Sequence, residues 1–149
     1  MTREELNAIL KKEGNYKAFE YKGYKCRILR MGEGMDPEYR LFHLCGYVLL
    51  TKEDRCYGKD ADTIPYHAHG GLNYSSHRLH NQPEEWWRIG FDCSHAGDLS
   101  GNYQLDKEYI FWTNSTYKTM EFVENELRQL VDQIVDDEQS NTTHTTKSE

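Results

Sequence analysis

The sequence predicts an α+β domain: an antiparallel sheet of about four to six strands, with a short amino-terminal helix and a long carboxy-terminal amphipathic helix packed on it. Three observations lead there. Only 37% of the 149 residues are hydrophobic but 13% are aromatic, with 11 Tyr, so the core is built from a few large rings, which suits strands better than a helical bundle. Residues 16–31 and 86–92 alternate with the two-residue period of a strand, whereas from Thr116 onward the period is helical. The length is that of one ordinary domain, able to bury a core without disulfides. Residues 1–137 are therefore read as a single domain.

Taken in order, Thr2 followed by Glu5 has the form of a capping box, and Leu6, Ile9 and Leu10 continue at helical spacing until Gly14 stops the segment. Residues 17–21 and 24–30, joined at Lys22-Gly23, alternate as a hairpin with one solvated face. Residues 31–37 hold Gly32, Gly34 and Pro37 and read as a loop, and residues 41–50 as a buried central strand. The polar residues 52–65 form a long excursion that delivers the chain to His67.

Residues 67–76 then run as a strand whose alternation puts His67 and His69 on one face. In residues 86–92, Trp87, Ile89 and Phe91 point one way and Trp86, Arg88 and Asp92 the other. The polar run 75–85 between them, with His77, Arg78, His80, Asn81 and Pro83, reads as a hairpin loop placed to act as a lid. Residues 99–102 turn the chain, and Tyr109, Ile110, Phe111 and Trp112 add a last short strand. Met120, Val123, Leu127, Leu130 and Ile134 form one apolar stripe of the final helix, with Glu121, Glu124, Arg128, Asp132 and Asp136 outside it. Residues 138–149 are polar, rich in Ser and Thr, and expected to be a disordered tail.

A formal charge of −7 argues against a broad grip on nucleic acid or anionic membrane. Cys26, Cys45, Cys56 and Cys93 form no CxxC pair and the amino end carries no apolar signal segment, which predicts reduced thiols and a cytoplasmic setting. No apolar run approaches the roughly 20 residues that span a bilayer.

The chemistry concentrates in two stretches, residues 67–76 and 86–98. His69, Asp92, His95 and Asp98 are the candidate catalytic residues, and Asp92, His95 and Asp98 at three-residue steps gather around one turn of irregular or 3₁₀ chain. These four are also the types that ligate a divalent metal, which would activate water and clamp a phosphoryl oxygen, with His67 a fifth candidate. A metal-free alternative uses His69 or His95 as general acid or base, oriented by Asp92 or Asp98, with Cys93 as a nucleophile. The bland alternative is that Asp92 caps a turn, His95 satisfies a buried carbonyl and Cys93 is an inert buried thiol. Candidate ligand-binding residues around them are His67, Gly70, Gly71, Tyr74, Ser75, Trp86, Arg88 and Cys93. Tyr66, Tyr74, Trp86 and Trp112 are of the type that stacks a base, and Arg78 and Arg88 of the type that holds phosphates, although most aromatics serve simply as core.

His69-Gly70-Gly71-Leu72-Asn73-Tyr74-Ser75 and the later run from Trp86-Trp87 through Ile89-Gly90-Phe91-Asp92-Cys93-Ser94-His95-Ala96-Gly97-Asp98 resemble a family of small, uncharacterised bacteriophage proteins. That family carries an HGGLTYS-like and a WWIGFDCAHAGD-like segment. Residues 45–48, 57–60 and 117–133 are also similar, so the likeness spans about Leu44 to Gln133. Asn73 stands where the pattern has Thr, Ser94 where it has Ala, and Arg88 is inserted after Trp87, an insertion expected to bulge the strand and reverse the facing of Trp86 and Trp87. The resemblance implies a phage origin and the cytoplasm of a bacterial host, where a small accessory protein counters host defence.

The functional expectation is thus a phage accessory protein that acts on a nucleotide or other phosphate-bearing ligand by hydrolysis at the His/Asp cluster. Two alternatives stand beside it: a sponge that binds such a nucleotide signal intact, and an acidic inhibitor of a host defence protein. A homo-oligomer is compatible with each.

Overall fold

The computed structural model describes residues 2–31, 42–79, 82–100 and 115–147, without the side chains of Arg3, Arg78, Leu79, 82–85 and 141–147. Its elements are α1 (Arg3–Glu13), β1 (Tyr16–Tyr21), β2 (Tyr24–Arg30), β3 (Leu44–Leu50), β4 (Tyr74–Leu79), β5 (Gln82–Asp92) and α2 (Met120–Lys147). The five strands make one antiparallel sheet in the order β1-β2-β3-β5-β4, so the α+β class and the helix packed on the sheet are as the sequence predicts.

Period-two alternation assigns the faces. Cys26 and Ile28 of β2, Val48 and Leu50 of β3, and Ile89 and Phe91 of β5 face α2, whose Val123, Leu127, Leu130 and Ile134 are buried against them. Each such aliphatic side chain contributes about 1.5–3 kcal/mol when removed from water. Gly46 sits in the middle of this contact, where a Cβ would lie 2.9 Å from Val123 Cγ1, 3.1 Å from Phe91 Cζ and 3.2 Å from Leu127 Cδ2. The missing side chain is what lets α2 approach β3 closely. On the other face Tyr47 lies across Gly90, whose Cβ would fall 2.5 Å from Tyr47 Cδ1, and meets Tyr74 edge to face at 5.1 Å. Both faces of β3 are buried, as expected of a central strand.

The excursion after β3 packs back onto the sheet beside α2. Cys56, Ile64, Tyr66, Ala68 and Leu72 join the core, and the Tyr66 hydroxyl donates to Asp137 at 2.7 Å. A second, smaller core of Leu6, Leu10, Phe42 and Leu99 sits under α1. It is tied to the rest by Arg30, 1% exposed, which donates to the carbonyls of Gly14 and Phe42, the Tyr117 hydroxyl and Glu13. Glu13 in turn accepts the Met120 amide at 2.8 Å, placing its charge at the amino end of α2 where the helix dipole favours an anion.

Several local expectations change. Residues 67–73 are not a strand: the Gly71 amide donates to the Ala68 carbonyl at 2.8 Å, the first bond to β5 is the Asn73 amide on the Gly90 carbonyl at 3.0 Å, and β4 starts at Tyr74. The run read as a loop or lid forms the strands of the β4–β5 hairpin, apart from residues 80–81, which lie outside the described residues. β3 pairs β5 without interruption from Leu50↔Trp87 to Cys45↔Asp92, so Arg88 causes no bulge there and the facing of Trp86 and Trp87 is not reversed. Against β4 the register does shift: from Ser76↔Arg88 to Arg78↔Pro83 β4 advances two residues and β5 five, so the extra residues lie on β5, between Pro83 and Arg88. α2 continues to Lys147, past the boundary at 137 set by composition, and Glu138 accepts the Arg55 amide at 2.8 Å. The expected strand at 109–112, most of the loop at 31–37 and Leu41 lie outside the described residues.

Replacing Gly46 by Ala should cost about 1–3 kcal/mol by overpacking, seen as a lower urea midpoint at unchanged m. A midpoint equal to wild type would mean that α2 does not bear on this position.

Candidate functional site

The candidate residues meet where β5 ends and α2 begins. The turn at residues 68–71 carries His69 at its second position and Gly70, φ +70°, at its third, where only glycine takes a positive φ without strain. After β5, the Asp98 amide donates to the His95 carbonyl at 2.9 Å, closing a turn that brings Asp92, His95 and Asp98 together as their spacing predicts. Leu99 N to Thr116 O at 2.8 Å and Thr116 N to Gly97 O at 2.9 Å then tie this turn to the segment leading into α2, which presents Lys118.

Asp98 is the hub. Its side chain is 1% exposed, and its carboxylate accepts from His69 Nε2 at 2.8 and 3.0 Å, from the His95 amide at 3.0 Å and from Lys118 Nζ at 3.2 Å. Burial pushes its carboxyl upward, but the His69 bond, the His95 amide and the Lys118 ammonium outweigh that, and Asp98 titrates below the usual carboxylate range. A carboxylate only accepts, so His69 must carry its proton on Nε2, leaving Nδ1 as the basic nitrogen. Phe122 backs the His69 ring edge to face at 5.1 Å.

A second pair lies alongside. His95 Nε2 is 3.2 Å from Asp92 Oδ1, without the alignment of a hydrogen bond, and Asp92 also accepts from Asn73 Nδ2 at 3.0 Å and the Ser94 amide at 3.1 Å. Asp92 therefore does cap a turn, as the bland reading held, and sets its charge beside His95. The two imidazoles stand 5.8 Å apart between centroids. Their side chains are 21% and 31% exposed, so each ring has an edge at the surface, while His95 Nε2 itself is buried against Asp92.

The metal reading finds no support in this arrangement. Among the described residues no three His, Cys, Asp or Glu side chains are grouped to hold an ion. The physical reason is that the oxygens of Asp98 and Asp92 are engaged by imidazole, amide and ammonium hydrogens rather than turned to a common point.

Other candidates separate from the cluster. His67 is exposed and bound through its backbone to the Gln133 amide, at 2.7 and 2.8 Å, so it does not join His69. Cys93 is 1% exposed and burial, followed by Asp98, pushes its thiol well above the usual range, which removes it as a nucleophile. Arg88 is 1% exposed within the sheet, and Ser75 Oγ accepts the Ala61 amide at 3.0 Å. Tyr74 packs on Tyr47, and Tyr66 is core. Trp86 lies at the opposite end of the sheet, under Lys25 at 5.0 Å, lining with Thr51, Lys52 and Glu53 a recess of about 220 Å³. The side chain of Arg78, and His80 and Trp112, lie outside the described residues. Gly70 and Gly71 stay at the site, as part of the turn that bears His69.

Two neighbours were missed by sequence reasoning. Lys118 precedes a helix in a polar segment, where a lysine carries no signal. His43 precedes the apolar run of β3; it is 8% exposed, its Nδ1 has no hydrogen-bond partner, and burial lowers its pKa against the pull of Asp92, the Ser100 backbone and Asp98.

Comparison of the chain with protein-family models, curated proteins and solved structures returns no match. Among the described residues no helix is long and apolar enough to cross a membrane.

Because the Asp98 pKa is lower in the folded chain, the stabilisation it gives is complete above the unfolded carboxyl value, about 3.9, and is lost as pH falls through the folded one. Asp98→Asn should therefore lower stability near neutrality by about 1.5–3 kcal/mol, with the gap to wild type closing below about pH 4. Urea titrations across pH measure this; a gap of constant size would show that Asp98 is not an ionised hub.

Proposed function

We propose that this chain hydrolyses a phosphoester of a nucleotide-type ligand, with His69 and His95 as a metal-free acid–base pair. The observation that carries the reading is the pair of partly exposed imidazoles, 5.8 Å apart, one hydrogen-bonded to Asp98 at 2.8 Å and the other 3.2 Å from Asp92. General acid–base work needs the base and acid oriented and within reach of one reacting group, and two such rings can flank a phosphoryl group and its attacking and leaving oxygens.

In this mechanism His69 Nδ1 takes the proton of the attacking water while Nε2–H stays on Asp98, whose buried charge stabilises the imidazolium that forms. His95, protonated and held by Asp92, delivers its proton to the leaving oxygen as the P–O bond breaks. Lys118, 18% exposed and resting on Asp98, supplies positive charge beside the phosphoryl oxygens. Together with the likeness of both motifs to small bacteriophage proteins, the reading becomes that of a phage accessory protein that removes a nucleotide signal in the cytoplasm of a bacterial host as a counter to its defence.

The test is incubation with a panel of nucleotides and cyclic nucleotides followed by phosphorus NMR. Turnover should be bell-shaped in pH and fall by about 10²–10⁴ in His69→Gln and His95→Ala. Gln keeps a donor for Asp98, so His69→Gln should stay folded. A nucleotide that raises the melting temperature and is recovered intact would replace hydrolysis by sequestration, and a host protein captured with no effect of any nucleotide would replace both by inhibition.

A further inference from the structure

The turn that carries one imidazole also abuts the other. A Cβ built on Gly70 would lie 2.1 Å from His95 Cδ2, 2.2 Å from its Nε2 and 2.7 Å from its Cγ. The edge of the His95 ring thus rests against the Gly70 backbone, in the space a side chain would fill. Gly71, φ +90°, has nothing within 4 Å of its Cβ position, so the two adjacent glycines differ in kind: both relieve backbone strain, but only Gly70 makes room for a ring. His69 is bonded directly to Gly70 and fixed from its far side by Asp98. Backbone connectivity therefore links the seat of His95 to the position of His69.

We propose that Gly70 is a positioning residue, seating His95 at its working distance from His69 and within reach of Asp92. The role in catalysis rests on the acid–base reading above; the seating itself does not. An imidazole is the far end of a rotatable side chain, so a Cβ at residue 70 would displace the ring rather than unfold the domain. A merely structural glycine would behave otherwise, adding the strain of a positive φ and leaving His95 in place.

The experiment compares Gly70→Ala with Gly71→Ala, which carries comparable backbone strain and meets no ring. Both should lose stability to a similar degree. In histidine-selective NMR titrations, Gly70→Ala should move the His95 ring resonances and titration midpoint while Gly71→Ala leaves them as in wild type. With bis(p-nitrophenyl) phosphate as probe, Gly70→Ala should lower kcat tenfold or more with KM little changed. Equal His95 behaviour in the two variants would overturn the seating, whatever the activity; a displaced His95 in a protein inactive on every phosphoester would leave the seating standing and remove the hydrolase reading. Should Gly70→Ala fail to fold, the His95→Ala background decides: there the contact is gone, so the double variant should fold, and its failure to do so would count against a clash with the ring.

Discussion

Asp98 is fixed by burial, and the groups around it are fixed by Asp98. A carboxylate with 1% of its side chain exposed has to be compensated, because an unpaired charge in that position would destabilise the fold by several kcal/mol. The compensation comes from three separate pieces of chain: His69 in the turn before β4, the His95 amide in the turn after β5, and Lys118 just ahead of α2. The desolvation requirement of one side chain thereby holds together a site that no single element contains. It also sets the protonation of His69, since the ring nitrogen facing a carboxylate has to be a donor.

The fold makes this convergence possible through close approach rather than through size. Gly46 admits α2 to the sheet, Gly90 admits the Tyr47 ring, and Gly70 admits the His95 ring, each at a point where a Cβ would collide. Because α2 is pressed onto β3 and its amino end is held by Glu13 and Arg30, Lys118 and Phe122 arrive beside His69 rather than in solvent. Structural and chemical roles are therefore interleaved along the same segments: α2 closes the core with Val123 and Leu127 and, at the residue just before Val123, backs an imidazole with Phe122.

Much of the architecture is legible in the sequence because burial imposes periodicity. The stripe from Met120 to Ile134, the alternation of residues 24–30 and 86–92, and the run ending at Leu50 each show the period of the element they form. Where no apolar period exists, reading fails: residues 67–73 look extended because His, Ala and Leu alternate there, yet Gly70 and Gly71 make a turn, and the polar residues 75–79 are strand because β5 pairs with them. In the site, the three-residue spacing of Asp92, His95 and Asp98 anticipates their gathering, and the bland expectation for Cys93 and for the capping role of Asp92 describes the structure well. Which imidazole would face which carboxylate was not legible, because it depends on where the turn at Gly70 and the lead into α2 arrive in space. Arg88 illustrates the same limit: its place on the polar side of β5 is right, but that side is buried too.

The central claim is that Asp98 holds His69 in one orientation with a basic nitrogen left for chemistry. Long-range proton–nitrogen correlation of ¹⁵N-histidine-labelled protein, at a pH where His69 is neutral, reads this directly. The account predicts a single Nε2–H tautomer for His69, its proton protected from exchange by the carboxylate, with Nδ1 bare. A His69 that shows the Nδ1–H tautomer, or the averaged mixture of a ring free in solvent, would contradict it.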